Sequence, residues 1–303
     1  MTDNNRLLIT IGIPTFNSSQ YLFESLNSVI NCSSVNEIII SDDGSIENEI
    51  KKLEQVVSTF TKNSDKDIKL IKHSENKGAF ANKLSIFEES TNDLVYLLDG
   101  DNIAGKNLDY IIQKKIKKDL GKPYLFQPGT MYQFWTKHRL SKLFSIFNKK
   151  YRVIFSKSDI SLNSIDAAAS LIDNPGTYDL GKILKNKNTL NSINNVERKN
   201  KNFPLEKWIM WVLNCGNFIV NKNLMLNIAS AGLEFDRKIN SLDAVTFSYL
   251  WLQSGNEIKL YKDFFHHHRK REDSVSFLES QNTEFAMNFF INNIVNLIKS
   301  NEE

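Results

Sequence analysis

Leu94-Val95-Tyr96-Leu97-Leu98-Asp99-Gly100-Asp101-Asn102 is the stretch that decides the fold. Its apolar run has the length of a buried strand and closes on two carboxylates at i and i+2. Strand side chains alternate faces, so residues two apart at a strand end can point the same way. A hard divalent cation carrying a diphosphate takes one or two protein oxygens, with phosphate and water filling the rest. Asp99 and Asp101 suit that task, and the bland alternative is a capped turn before the next helix. The preceding chain favours the first reading. Ile9-Thr10-Ile11-Gly12-Ile13-Pro14-Thr15-Phe16-Asn17 reads as a strand running into a Pro-Thr turn. Glu37-Ile38-Ile39-Ile40-Ser41-Asp42-Asp43-Gly44-Ser45 reads as a second strand ending in acids.

Helical patterns separate these strands. Strands are expected near 7–13, 36–42, 68–72 and 93–98, with helices near 19–31, 46–62 and 78–90. Tyr21, Leu22, Leu26, Val29 and Ile30 fall at helical spacing on the buried face of the first helix. Alternation of this kind builds a mostly parallel α/β sheet with helices on both faces. Ligands of such open sheets bind outside the carboxyl ends of the strands. Asn17, Asp43 and Asp101 all follow strand ends, so one crevice can gather them.

The ordered set Pro14-Thr15-Phe16-Asn17, Asp42-Asp43-Gly44-Ser45, Asn76-Lys77-Gly78 with Asn82, and Asp99-Gly100-Asp101-Asn102 resembles the family 2 glycosyltransferases, which have the GT-A fold. The resemblance covers roughly the first 105 residues. It implies an inverting transfer from a nucleotide-sugar. It places the cofactor, Mg²⁺ or Mn²⁺, on Asp101, with Asp99 beside it and closer to the ribose. It assigns Asp43 to the nucleotide base, where a carboxylate accepting from a pyrimidine N–H favours uracil. Asp42 is the structural member of that pair, and the Pro14-Thr15 turn packs around the base.

A looser match runs on through Cys215-Gly216-Asn217, Asp243 and the tail His266-His267-His268-Arg269-Lys270-Arg271 before Ser274-Val275-Ser276. Asp243 opens an apolar helix, where the family carries its catalytic base; Glu234 and Asp236 compete for that role, and an N-cap is the structural alternative. In the tail, His266 and His268 share a strand face and His267 opposes them. Arg269 is the expected diphosphate contact and His268 the expected third metal ligand. Asn76, Lys77, Gly78 and Asn82 stand at a helix start, where free N–H groups favour an anion. An ordinary helix cap beside a solvated lysine is the alternative.

Composition sets the bounds. The 303 residues suffice for one large domain or two fused ones. A net charge of +3 is too small to argue for nucleic acid. Cys32 and Cys215 are isolated, so no disulfide framework or zinc site is read, and a reducing cytoplasm fits. The N-terminus lacks a signal-peptide pattern, and the longest apolar run, Trp208 to Val220, is broken by Asn214 and Asn217.

The remainder divides as follows. A Lys-rich helix is expected at 106–119, a strand at 123–127, an amphipathic basic helix or helix pair at 131–156 and a short helix at 163–173. Residues 185–203 read as a loop. A strand at 216–220, helices at 222–231 and 243–254, a strand at 257–261 and a terminal helix at 278–299 follow. The basic segment 134–155 packs on the core or, alternatively, touches an anionic bilayer from the cytoplasmic side. Trp208 and Trp211 fill core rather than stack on a sugar.

These readings divide the chain into a nucleotide-sugar-binding half at 1–105, an acceptor-binding and catalytic half at 106–277, and a C-terminal helix at 278–303. The expected partners are a nucleotide-sugar donor, UDP-linked, and a glycan acceptor, with a lipid-linked surface glycan as the family analogy. Two rivals stand. A sugar nucleotidyltransferase needs a Gly-rich, Arg-containing loop that is absent after Ile13. A non-catalytic nucleotide-sugar-binding module would dispense with Asp243.

Overall fold

The computed structural model describes residues 6–135, 152–156, 160–162, 215–231 and 243–270. Four strands open the chain: β1 Ile9–Thr15, β2 Val35–Asp42, β3 Asp67–Lys72 and β4 Leu94–Leu97. Between them lie α1 Ser19–Val29, α2 Glu47–Lys62 and α3 Ala79–Glu89. Each element falls within three residues of its expected span. Glu47 and Glu49 in the first turn of α2 and Lys62 in its last turn complement the helix dipole.

β5 Ile103–Ala104 precedes an irregular helical run. Its first turn is α4, Leu108–Tyr110, followed by a π turn at Ile111–Ile116 and a 3₁₀ turn at Lys117–Asp119. Next come β6 Tyr124–Trp135, β7 Arg152–Ser156, β8 Ile160–Leu162 and β9 Phe218–Asn221. The described chain closes with α5 Lys222–Ala231, α6 Asp243–Gln253 and β10 Glu257–Lys270.

The described strands form one sheet in the order β3-β2-β1-β4-β9-β6-β10-β5, with β7 on β6 and β8 on β10. β1, β2, β3 and β4 run parallel. β9 then inserts antiparallel to β4 and β6, and β6 pairs in parallel with β10. Strand alternation sorts the core into two layers. Val95, Leu97, Phe218 and Val220 pack with Phe80, Phe87, Phe247 and Trp251 from α3 and α6. Leu94, Tyr96 and Leu98 point the other way, against Leu22, Leu26 and Val29 of α1 and Ile111, Ile112 and Ile116 of the irregular run.

Two expectations are corrected. The amphipathic helix at 131–156 is strand at both ends, since β6 runs on to Trp135 and β7 begins at Arg152. Met131-Tyr132-Gln133-Phe134-Trp135 is aromatic-rich and pairs with β10 over its whole length, a strand preference that outweighs the helix expected there. The strand expected at 257–261 continues to Lys270 and takes in the His/Arg tail. The middle of 134–155, the loop at 185–203, the helices expected at 163–173 and 278–299, and Trp208, Trp211, Glu234, Asp236 and Ser274–Ser276 lie outside the described residues. Among the described residues no helix is long and apolar enough to cross a membrane.

Candidate active site

The carboxyl ends of β1, β2 and β4 are tied together by backbone. Asp43 N donates to Thr15 O at 3.0 Å, and Gly100 N donates to Pro14 O at 3.2 Å. A Cβ at position 100 would stand 2.7 Å from that Pro14 oxygen. The Asp99-Gly100-Asp101 turn therefore lies directly against the Pro-Thr turn, and only glycine allows the approach. Ser25 of α1 holds the turn from behind, its hydroxyl donating to Gly100 O at 2.8 Å and Asn102 O at 2.7 Å.

Around the acids of β2, Asp43 is buried and accepts from Lys77 N at 2.8 Å and Gly78 N at 3.0 Å. Burial pushes its carboxyl above the usual carboxylate range in spite of these two bonds. Asp42 closes the turn before α2, accepting from Ser45 N at 2.9 Å and Ser45 Oγ at 2.5 Å. Asn17 sits in the left-handed region at φ 47°. Its N–H donates to Ser45 Oγ and its Oδ1 accepts from Ile46 N, so it pins the turn that leads into α2. Thr15 Oγ1 lies 2.9 Å from Ser18 Oγ.

The expected anion-binding group at the α3 start divides. Lys77 is exposed, and Asn76 Oδ1 accepts from Gly78 N at 3.0 Å. Asn82 is buried and spends its amide on β2, accepting from Ser41 Oγ at 2.6 Å and donating to Ser41 O at 3.0 Å. It fastens α3 to the sheet through one bond on each amide atom.

Asp99 is the centre of the second cluster. Its N–H donates to Asn217 Oδ1 at 3.0 Å, and its carboxylate lies 2.8 Å from Lys83 Nζ. A Cβ at Gly216 would fall 2.3 Å from Asp99 Oδ2, so the chain entering β9 crosses the carboxylate at backbone distance. Lys83 Nζ also lies 2.5 Å from Asp243 Oδ2 at the start of α6. That second contact is close but poorly directed, for Asp243 Oδ2 is buried without an aligned hydrogen-bond donor. Burial alone would lower the Lys83 ammonium and raise the Asp99 carboxyl. Asp243 and Asp99 reverse the first, holding Lys83 above the usual lysine range. Lys83 with His268 and His266 reverses the second, holding Asp99 below the carboxylate range.

β10 brings the tail to the same place. His266 is buried, and its ring stands perpendicular to that of His268 at 6.3 Å, so the two share a face as the strand period requires. Burial pushes His266 down to about 3, and the neighbouring His268 adds to this, so the ring is neutral. His267 points away and stacks on Tyr132. Arg269 points away as well. It pairs with Glu24 at 2.7 Å, donates through Nε to Asp101 O at 2.9 Å, and lies over the Tyr21 and Phe134 rings. In this arrangement Arg269 clamps the Asp101 turn from beneath and is committed to protein partners, unlike the diphosphate contact expected of it.

Three or more metal-ligating side chains do not converge among the described residues. The donor set still fits a hard divalent cation, which needs only one or two carboxylates when a diphosphate supplies further oxygens. Asp101 is half-buried at the turn, and Asp99 faces His266 and His268. Burial pushes the Cys215 thiol up to about 12, so it offers no thiolate here.

Comparison with known proteins follows this geometry. The family described as "Glycosyl transferase family 2" matches residues 10–168, more than half of the chain. The chain belongs to glycosyl transferase family 2. No curated relative matches it. Among solved structures it is similar to S. aureus TarS 1-349 in complex with UDP, at 14% identity and TM-score 0.52, covering 88% of this chain and 61% of that one. The UDP-GlcNAc complex of TarS 1-349 gives 14% identity and TM-score 0.53, over 88% of this chain and 60% of that one. GalNAc-T7 with UDP, GalNAc and Mn²⁺ gives 15% identity and TM-score 0.54, over 89% of this chain and 45% of that one. The chain thus spans about three fifths of the TarS structures. At these identities the likeness shows the fold, and this family 2 chain has the mixed α/β GT-A architecture.

The sequence reading gave no role to Lys83 or Ser25, and quoted Asn217 in the looser match without one. Lys83 left a signal. It stands three residues after Phe80 and three before Ile86, on the apolar stripe of α3, where an unpaired lysine would not be buried. Nothing local ties it to its partners, sixteen and 160 positions further along the chain.

Proposed function

We propose that the chain is a metal-dependent inverting glycosyltransferase, moving a sugar from a UDP-sugar to a glycan acceptor in surface polysaccharide or glycoconjugate assembly. The observation that carries this reading is the bridge Asp99–Lys83–Asp243, which sets a buried, under-bonded carboxylate beside the acid turn. Family membership supports the transfer chemistry, and the UDP bound in TarS and GalNAc-T7 supports the carrier.

In this reading Pro14, Thr15 and Asp43 hold the uracil, and Asp99 and Asp101 face the ribose and diphosphate. Asn76 and Lys77 edge the same crevice, and Asn17 shapes it by pinning the turn that leads into α2. Asp101, Asp99 and His268 would hold Mg²⁺ or Mn²⁺, which neutralises charge on a leaving diphosphate. Asp243 accepts the proton of the acceptor hydroxyl. The acceptor oxygen bonds to the anomeric carbon as the bond to the diphosphate breaks and its electron pair leaves with UDP. Base and leaving group then stand on opposite faces of the sugar, as inversion requires. Residues 1–105 serve the nucleotide and 106–277 the acceptor and the chemistry. We place the protein in the cytoplasm, with 134–155 as the segment for any peripheral membrane contact.

The test is UDP release from a panel of UDP-sugars with Mn²⁺ or Mg²⁺, for the parent and Asp243→Asn. Asparagine caps a helix nearly as well as aspartate but cannot take a proton. Turnover is expected to fall on the order of 10²–10⁴-fold while UDP affinity holds. UDP binding without turnover in the parent would instead identify the non-catalytic module.

A further inference from the structure

We propose that Lys83 is the positioning residue of the reaction, the strut that fixes the base Asp243 relative to the donor-side Asp99. The inference rests on the reading of Asp243 as base and adds the element that places it.

The geometry is specific. Lys83 is the buried cation of α3, with 4% of its side chain exposed, and its ammonium touches both carboxylates, at 2.8 Å and 2.5 Å. Those carboxylates come from elements with no sequence proximity, the turn after β4 and the first residue of α6. Two carboxylates brought this close repel one another unless a cation stands between them. The stem of Lys83 cannot swing away to water. α3 packs against α6 through Phe80 and Phe247, stacked at 4.4 Å, and Phe87 lies edge-on to Phe247 at 5.9 Å. Asn82, one residue earlier, anchors the same turn of α3 to β2 through both atoms of its amide. The ammonium is thus held by the sheet on one side and the aromatic contact on the other.

The contacts are also unequal in a way that suits a strut. Asp99 receives a hydrogen bond from Lys83. Asp243 Oδ2 receives proximity without an aligned donor. The oxygen is therefore located by the cation, and the 14% of the Asp243 side chain that stays exposed is the part an acceptor hydroxyl would approach. Displacing a reacting group by about 1 Å is enough to cost on the order of 10²-fold in rate. Removing Lys83 leaves Asp243 at the start of a helix with nothing to index it to the donor.

The decisive experiment is a double-mutant cycle on the full chain: parent, Lys83→Met, Asp243→Asn and the double variant. UDP release from UDP-GlcNAc, UDP-glucose and UDP-galactose is measured with Mn²⁺, together with UDP affinity and thermal unfolding. Lys83→Met is expected to lower kcat on the order of 10²-fold, with a smaller change in KM and UDP affinity. In the Asp243→Asn background the same substitution is expected to cost nothing further, because the strut no longer has a base to place. A full, multiplicative loss in the double variant would overturn the proposal and make Lys83 an independent contact, while leaving the base reading intact. A loss confined to UDP affinity would also overturn it, since that is the mark of a lysine that grips the diphosphate. If Asp243→Asn alone has no effect on turnover, the base reading fails first, and that outcome is visible without the lysine variants. Where Lys83→Met does not fold, Lys83→Arg takes its place in the cycle, keeping the charge while its longer fork displaces Asp243. Where no UDP-sugar is turned over, the unfolding cycle still decides whether the pair exists, as additive losses in melting temperature would refute the contact.

Discussion

Replacing Asp43 with alanine separates a binding role from a structural one. The side chain accepts two backbone N–H bonds, from Lys77 and Gly78. Losing an acceptor from a buried N–H costs about 1–3 kcal/mol per orphaned group. Gly78 N, however, keeps Asn76 Oδ1 at 3.0 Å, and Lys77 is exposed, so water replaces its partner. Burial also opposes the ionised carboxyl of Asp43, which offsets part of what the bonds contribute. The expected destabilisation is therefore at the low end, about 1 kcal/mol, or a fall of about 2–4 °C in Tm. If the same carboxylate also accepts from uracil, uridine loses a bond to a charged group worth about 1.5–3 kcal/mol, roughly a 10- to 150-fold rise in Kd. Calorimetric titration with uridine and with UDP reads this directly. Both ligands should lose the same factor, since the contact is to the base. An unchanged uridine Kd beside a lowered Tm would refute the base contact and leave Asp43 as the clamp of the 76–78 turn. The pH dependence supplies a second check. Its folded pKa lies above the unfolded value of 3.8, so the stability linked to Asp43 is fully present below 3.8 and lost as pH rises through the folded value. Alanine should remove that falling limb from a stability–pH profile.

Gly100→Ala places a methyl group 2.7 Å from a backbone oxygen that no side-chain rotation can relieve. The expected cost is about 1–3 kcal/mol, with weaker UDP binding as the acid turn is pushed off Pro14; an unchanged Tm would contradict the packing. Asp101→Asn is expected to leave Tm within experimental error while removing most of the Mn²⁺-dependent part of UDP binding, because the amide brings no charge to the cation. Equal UDP affinity with and without Mn²⁺ in the parent would remove the premise of that variant.

How much of this was legible in the sequence depends on range. The first four strands and three helices were written in local pattern: Ile-rich runs ending on polar residues, and the 3.6-residue spacing of Tyr21, Leu22, Leu26 and Val29. The segment from Met131 to Trp135 was misread as the start of the amphipathic helix expected after it, and only pairing with β10 shows that it is strand. In the tail, the strand period told which side chains share a face, but nothing local told that His266 and Arg269 are both buried. Arg269 is held by groups brought from far along the chain, Glu24 and Asp101.

The same distinction explains why the acids were found and their cation was not. Asp43, Asp99 and Asp101 sit at strand ends, and strand ends are visible in a local apolar run followed by a turn. Lys83 sits mid-helix, and nothing local tells a buried lysine from a snorkelling one except its place on the apolar stripe. A buried ammonium is expensive unless carboxylates meet it. The position of Lys83 on α3 therefore carried an implicit demand for acidic partners from elsewhere in the chain. Asp99 and Asp243 were already singled out, one for metal and nucleotide and one for base chemistry, and the fold shows that they share that one cation. A site assembled this way has its donor side and its acceptor side joined through a single buried side chain. Substitutions at Asp99 should therefore disturb Asp243, and substitutions at Asp243 should disturb Asp99, without any contact between the two carboxylates.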